Sequence, residues 1–193
     1  QFLRRGIVST YEPVPVSTPI PTDQRVLTAE EWERMLTLAH TNPGAATELY
    51  IAHYLGTDGQ VYWSDTQQLG YYREGYHRAI DARIGSSGSE MITELYVEPE
   101  LIPDFMSAAR AILRTSDSTP VVYGTMRMIE EDRDTFLPWA RRRFACLVFN
   151  LHVPRTPAGI DRAARAFREL IDEAVERSGS FYLTYHRWAT REQ

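Results

Sequence analysis

The sequence contains no lysine: all 21 of its basic residues are arginine. This excludes a Schiff-base or nucleophilic lysine from the chain, and the bias itself reads as the mark of GC-rich coding. Cysteine is almost as scarce. Cys146 stands alone in an apolar run, so no internal disulfide can form, a buried thiol is expected, and a reducing, cytoplasmic compartment fits best. No apolar stretch approaches the roughly 20 residues that a membrane helix requires, and QFLRRG lacks the apolar segment of a signal peptide. The formal charge of −5 argues against a nucleic-acid partner, which calls for a clustered cationic face. Arg141-Arg142-Arg143 does not supply one, because Glu130, Glu131, Asp132 and Asp134 lie close by in sequence and the stretch reads as a solvated loop.

Motifs of several enzyme classes are also missing. There is no HExxH or paired-cysteine spacing, and His40, His53 and His77 fall on separate segments, so no metal site is expected. Neither Ser64-Asp65 nor GSSGS at 85–89 forms a GxSxG elbow, and no glycine-rich loop joins a strand to a helix. Hydrolase and kinase readings therefore find no support.

What is present is enough hydrophobic material, 43% of 193 residues, for one substantial core with a smaller appended layer. Residues 1–27 carry prolines without helical or alternating period and read as an extended connector. Residues 28–89 read as a helical extension. Thr28 caps AEEWERMLTLAHT, whose apolar stripe is Trp32, Met35, Leu36 and Ala39; a helix over roughly 43–55 follows; QVYWSD is a short strand or extended piece; and the second half of 71–84 is helical. GSSGS is a flexible turn. The start at Gln and the end at RWATREQ are expected of a piece of a longer polypeptide.

Residues 90–193 are more regular. Strands are expected at 90–97, 120–129, 144–153 and 180–186, with helices at 99–113 and from Thr156-Pro157 to near Gly179. The long helix is expected to bury Ile160, Ala164, Phe167, Ile171 and Val175. Strand, helix, strand, strand, helix, strand is the order of a ferredoxin-like α+β fold: an antiparallel sheet with its helices on one face, here with an N-terminal helical extension. The other face is left for a ligand or partner.

Alternation along the strands indicates what that face carries. In FACLVFNLHV, Ala145, Leu147, Phe149 and Leu151 share the core side, and Cys146, Val148, Asn150 and His152 share the other. By the same rule Glu90, Glu94 and Tyr96 oppose Met91, Leu95 and Val97, while Tyr123, Thr125 and Arg127 oppose Val122, Met126 and Met128. The last strand contributes Tyr185 or His186. A face of Glu, Arg, Asn, His and Tyr suits recognition of a small polyhydroxylated or carboxylated molecule.

SEMITELYV, VVYGTMRMIEEDRDTFLPWARRRFACLVFNLHV and GSFYLTYHRWAT resemble the C-terminal part of FAD-linked oxidases of the vanillyl-alcohol-oxidase superfamily, near the sugar-lactone and alditol oxidases. LTLAHTNPGAATELY and QVYWSDTQQLGYYREGYH extend the resemblance over nearly the whole chain. It implies a substrate-binding cap for an alcohol or sugar-type small molecule, with FAD held mainly by an N-terminal domain of the same or a companion polypeptide. The chain alone is then expected to be colourless and inactive. The resemblance implies that Glu94 and Arg127 lie near the flavin and that Asn150-Leu151-His152 faces the substrate. For such chemistry His152 is the first candidate base and His186 the second, Arg127 orients a substrate oxygen, and Glu94, Tyr123, Asn150 and Tyr185 bind substrate. The rival reading is a stand-alone ferredoxin-like module that binds a small molecule or a partner without catalysis.

Overall fold

The computed structural model describes residues 2–63, 75–115, 120–136, 138–182 and 184–193. Ser64-Asp65 and the first residues of the segment expected to become helical by 84 lie outside this set. The chain divides into two units, Gln1–Gly85 and Ser86–Gln193.

In the first unit, α1 (Ala29–Thr41) starts from a reciprocal cap: the Glu31 amide donates to the Thr28 hydroxyl at 3.2 Å, and the Thr28 amide donates to the Glu31 carboxylate at 2.8 Å. Asn42 ends α1 and, through its side chain, caps α2 (Pro43–Leu55). A third helix, α3 (Tyr76–Ile84), lies between glycines with positive φ, Gly75 and Gly85. Among the described residues of this unit, Met35 and Leu36 of α1 and Ile80 of α3 are the buried apolar ones. The proline-rich leader is tied to its own unit by an Arg5–Glu48 ion pair of 2.6 Å. QVYWSD takes the extended alternative over its described part: the Val61 amide donates to Gln24 Oε1 at 2.7 Å, and Gln60 exchanges two bonds with the Arg25 backbone.

The second unit holds the sheet. β1 (Gly88–Val97) begins inside the glycine-serine stretch, and a 3₁₀ turn (Pro99–Leu101) leads into α4 (Ile102–Leu113). β2 (Val121–Ile129), β3 (Phe144–Pro154), α5 (Pro157–Glu176) and the two-residue β4 (Ser180–Phe181) follow. The sheet order is β2-β3-β1-β4 with every neighbouring pair antiparallel. This is the ferredoxin-like α+β arrangement that the element order predicts. α4 and α5 pack on each other, and α5 lies against β1 and β3. Between helices and sheet, Thr93, Leu95, Val97, Phe105, Ala109, Leu147, Phe149, Leu151, Phe167, Leu170 and Ile171 are buried.

Three expectations change. The apolar stripe of α5 is rotated: Gly159, Ala163, Ala166, Leu170 and Ala174 join Ala164, Phe167 and Ile171 in the core, while Ile160 and Val175 are exposed. Small residues line the contact because the helix runs close over the strands. Met126 and Met128, on the apolar side of β2, are 45% and 44% exposed, since β2 is an edge strand beyond the reach of α5. The last strand stops at Phe181 instead of reaching 186, and Leu183 lies outside the described residues.

Gly179 makes the connection into β4 possible. A methyl group there would collide with the carbonyl oxygens of Tyr96 and Ala174, and the Gly179 amide already donates to Ala174 O at 2.8 Å. Gly179→Ala is therefore expected to cost about 1–3 kcal/mol by forcing two backbone segments apart, read as a lowered midpoint in urea unfolding. An unchanged midpoint would show that the segment yields without cost.

Candidate functional site on the open sheet face

The register of β1 on β3 pairs Glu90 with His152, Ile92 with Asn150, Glu94 with Val148 and Tyr96 with Cys146. β2 sets Tyr123 beside Asn150, Thr125 beside Val148 and Arg127 beside Cys146, after an irregularity between Val121 and Tyr123. Without that extra residue Tyr123 would fall on the helix side. Glu94, Tyr123, Arg127, Asn150 and His152 thus share the face that the helices leave open, as strand alternation predicts.

One end of this face is closed. Tyr96, Ala140, Phe144, Cys146 and Val148 form a second apolar cluster with Ile92 and Ile129, and Trp139 packs on Tyr96 with ring centroids 4.4 Å apart. The charged segment between β2 and β3 supplies this cover, with its Asp132 amide bonded to Ala140 O at 2.8 Å. Arg142 ties it down, donating to Ser178 O at 2.8 Å and to the Glu98 carboxylate.

Next to this cluster Glu94 gathers donors. Its Oε1 accepts from the Tyr96 hydroxyl at 2.5 Å and from Cys146 Sγ at 3.2 Å. The Tyr182 amide donates to the Glu94 carbonyl at 3.0 Å, and the Tyr185 phenol lies close enough for the carboxylate to act on it. Burial, then the Glu94 carboxylate, pushes the Cys146 thiol up to about 12, which keeps it protonated and a donor. The Tyr96 and Tyr185 phenols are raised for the same two reasons. Arg127 is exposed and two strands away, so it forms no ion pair with Glu94 among the described residues. Its positive charge instead opposes the rise at Cys146 and Tyr185.

At the other end the side chains are enclosed. His152 is 5% exposed, and its Nδ1 lies 2.9 Å from Glu90 Oε1. The ring occupies the space above Gly88, where any side chain would strike it. Asn150 is 6% exposed, and its Oδ1 is buried with no hydrogen-bond partner among the described residues. A buried amide oxygen without a donor is costly unless something completes it.

His186 does not join this face. Because β4 ends at Phe181, alternation no longer governs the residues after it. Tyr182 and Tyr185 meet with centroids 5.6 Å apart beside Glu94, and His186 turns into the helix layer. There it stacks on Phe167 of α5 at 4.5 Å and 4° and lies 5.3 Å from Trp188. Its Nδ1 accepts from the Trp188 amide at 3.4 Å. The role of second base assigned to it is therefore lost: its imidazole is part of the packing of the C-terminal segment. Glu90 is the residue missed as a site member. The signal was there in outline, since it shares the polar side of β1 with Glu94, but its partner emerges only from the register.

No protein-family model, curated protein or solved structure matches this chain.

Burial lowers the pKa of His186 below the ordinary 6.5. The unfolded chain therefore takes up this proton first as pH falls, so stability is full above about pH 6.5 and declines below it, down to the folded-state pKa. Replacing His186 with Phe keeps the stack and removes the proton. Urea midpoints of the two proteins measured from about pH 7.5 to pH 5 are expected to diverge on the acid side, the variant losing less. Parallel profiles would mean that the imidazole accepts its proton in place.

Proposed function

We propose that the sheet unit is the substrate-binding cap of an FAD-linked oxidoreductase acting on an alcohol or sugar-type small molecule, with FAD held mainly by another domain. The observation that carries this reading is the gathering of Glu94, Tyr123, Arg127, Asn150, His152 and Tyr185 on one side of the sheet, around a buried amide oxygen that lacks a donor. This donor and acceptor set fits hydroxyl groups and the polar edge of a ring. It does not fit a diphosphate, for which the sequence has no glycine-rich loop. Bound FAD would supply the acceptor for a hydride.

The residues of this chain divide the remaining work. Asn150 Oδ1 takes a hydroxyl or ring N–H as its missing donor. Arg127, exposed and unpaired with Glu94, directs its guanidinium to a substrate oxygen. Tyr123 and Tyr185 flank these positions, and Glu94 accepts from Tyr96 and Cys146 beside them. His152 Nε2 accepts the proton of the reacting hydroxyl, whose bonding electron pair stays on oxygen.

The test uses the full-length polypeptide that carries this chain, reconstituted with FAD. His152→Ala is expected to slow single-turnover flavin reduction about 10²–10⁴-fold, the range general-base assistance supplies, with flavin content unchanged. A normal rate would leave this face without a base, since His186 packs against α5. A full-length product that takes up no FAD would refute the reading altogether and favour a binding module. Arg127→Ala is expected to raise KM more than it lowers the melting temperature, because the side chain is exposed and carries little of the fold; an unchanged KM would remove Arg127 from the substrate contacts.

A further inference from the structure

We propose that Glu90 is a positioning residue: it holds the His152 imidazole in the Nδ1–H tautomer, so that Nε2 carries the lone pair. The catalytic use of this arrangement rests on the reading of the open face as a substrate site; the arrangement itself does not.

Three features of the fold converge on the pair. The β1–β3 register sets Glu90 directly opposite His152, and such opposed residues have Cβ atoms about 4.5–5.5 Å apart, close enough for a carboxylate and an imidazole to meet without strain. They do meet, at 2.9 Å between Oε1 and Nδ1, with 17% and 6% of the two side chains exposed. A carboxylate oxygen accepts, so Nδ1 is the nitrogen that bears the proton. Gly88, on the same side of β1 and two residues before Glu90, leaves the seat in which the ring lies. Contact with a carboxylate on one edge and a glycine seat beneath leave the imidazole little freedom to turn. Water on an exposed face would hold neither tautomer. A carboxylate at Nδ1 is the general device by which a base histidine is oriented and its second nitrogen made the acceptor.

The tautomer is read directly by ¹⁵N-detected imidazole NMR on the chain itself at about pH 8, above the ordinary histidine range. The His152 signals are assigned by their loss in His152→Ala. The expected wild-type spectrum has a protonated Nδ1 and an unprotonated Nε2, and Glu90→Gln, whose amide can donate as well as accept, is expected to give a mixture. A wild-type ring protonated at Nε2 overturns the proposal without need of any variant, as does a Glu90→Gln ring that keeps Nδ1–H unchanged. In the reconstituted full-length protein, Glu90→Gln is expected to lower the rate of flavin reduction at least tenfold with little change in KM. If the tautomer result holds but His152→Ala reduces flavin normally, it is the substrate-site reading that fails, and the pair is then a clasp between two strands.

Discussion

Everything on the open face depends on the pairing of β1 with β3. Ten successive positions are in register from Gly88 opposite Pro154 to Val97 opposite Ala145, with no bulge. Side chains alternate with a period of two, so a slip by one residue would send Glu90, Glu94 and Tyr96 into the helix layer and bring Leu95 and Val97 out. Burial of Leu95, Val97, Leu147, Phe149 and Leu151 beneath α5 prevents that slip. The same apolar residues that make the core thus fix which polar residues can meet. Glu90 reaches His152, and Glu94 reaches Cys146, because Leu95 must lie opposite Leu147.

Strand periodicity made most of this face legible wherever a strand is long. β3 is buried on both sides over all but its last residue, and its alternation alone separates Asn150 and His152 from Leu151. Periodicity fails where the element is short or at an edge. β4 has two residues, too few for alternation to hold as far as His186, and the pull of the Phe167 and Trp188 rings then decides where that imidazole goes. Met126 and Met128 have the pattern of a core strand, but burial depends on what lies above them, and α5 stays over β1 and β3. The apolar period of α5 marks Ala164, Phe167 and Ile171 as buried and fails at its ends, because the buried side is chosen by close approach of Gly159, Ala163 and Ala166 and not by the largest side chains. Pairwise relations across strands are the least visible from sequence. Glu90 is legible as a polar-side residue, whereas its bond to His152 requires the register.

The two ends of the face are electrostatically different. Around Glu94, a hydroxyl and a thiol donor converge on one carboxylate oxygen, and burial keeps both protonated. That end is a scaffold: it joins β1 to β3 through Cys146 and holds the segment after β4 through the Tyr182 amide. Around Asn150 the balance is reversed. The amide oxygen is enclosed with no donor among the described residues, between a hydrophobic neighbour, Ile92, and a phenol, Tyr123. A fold seldom retains such a deficit in a strand it has packed elsewhere to completion, and sites that bind are where it is tolerated.

The two buried histidines of this unit show how environment assigns different work to the same side chain. His186 is enclosed by aromatic rings and burial disfavours its charged form, which suits an element whose function is to stay packed. His152 is as deeply enclosed, but a carboxylate stands at its Nδ1 and a glycine opens the space for its ring. The pair ties β1 to β3 by side chains and fixes where the imidazole lies. The same residue type thus serves helix-layer packing at His186 and a strand-to-strand polar contact at His152, and the difference lies in what the register and the C-terminal segment set beside each ring.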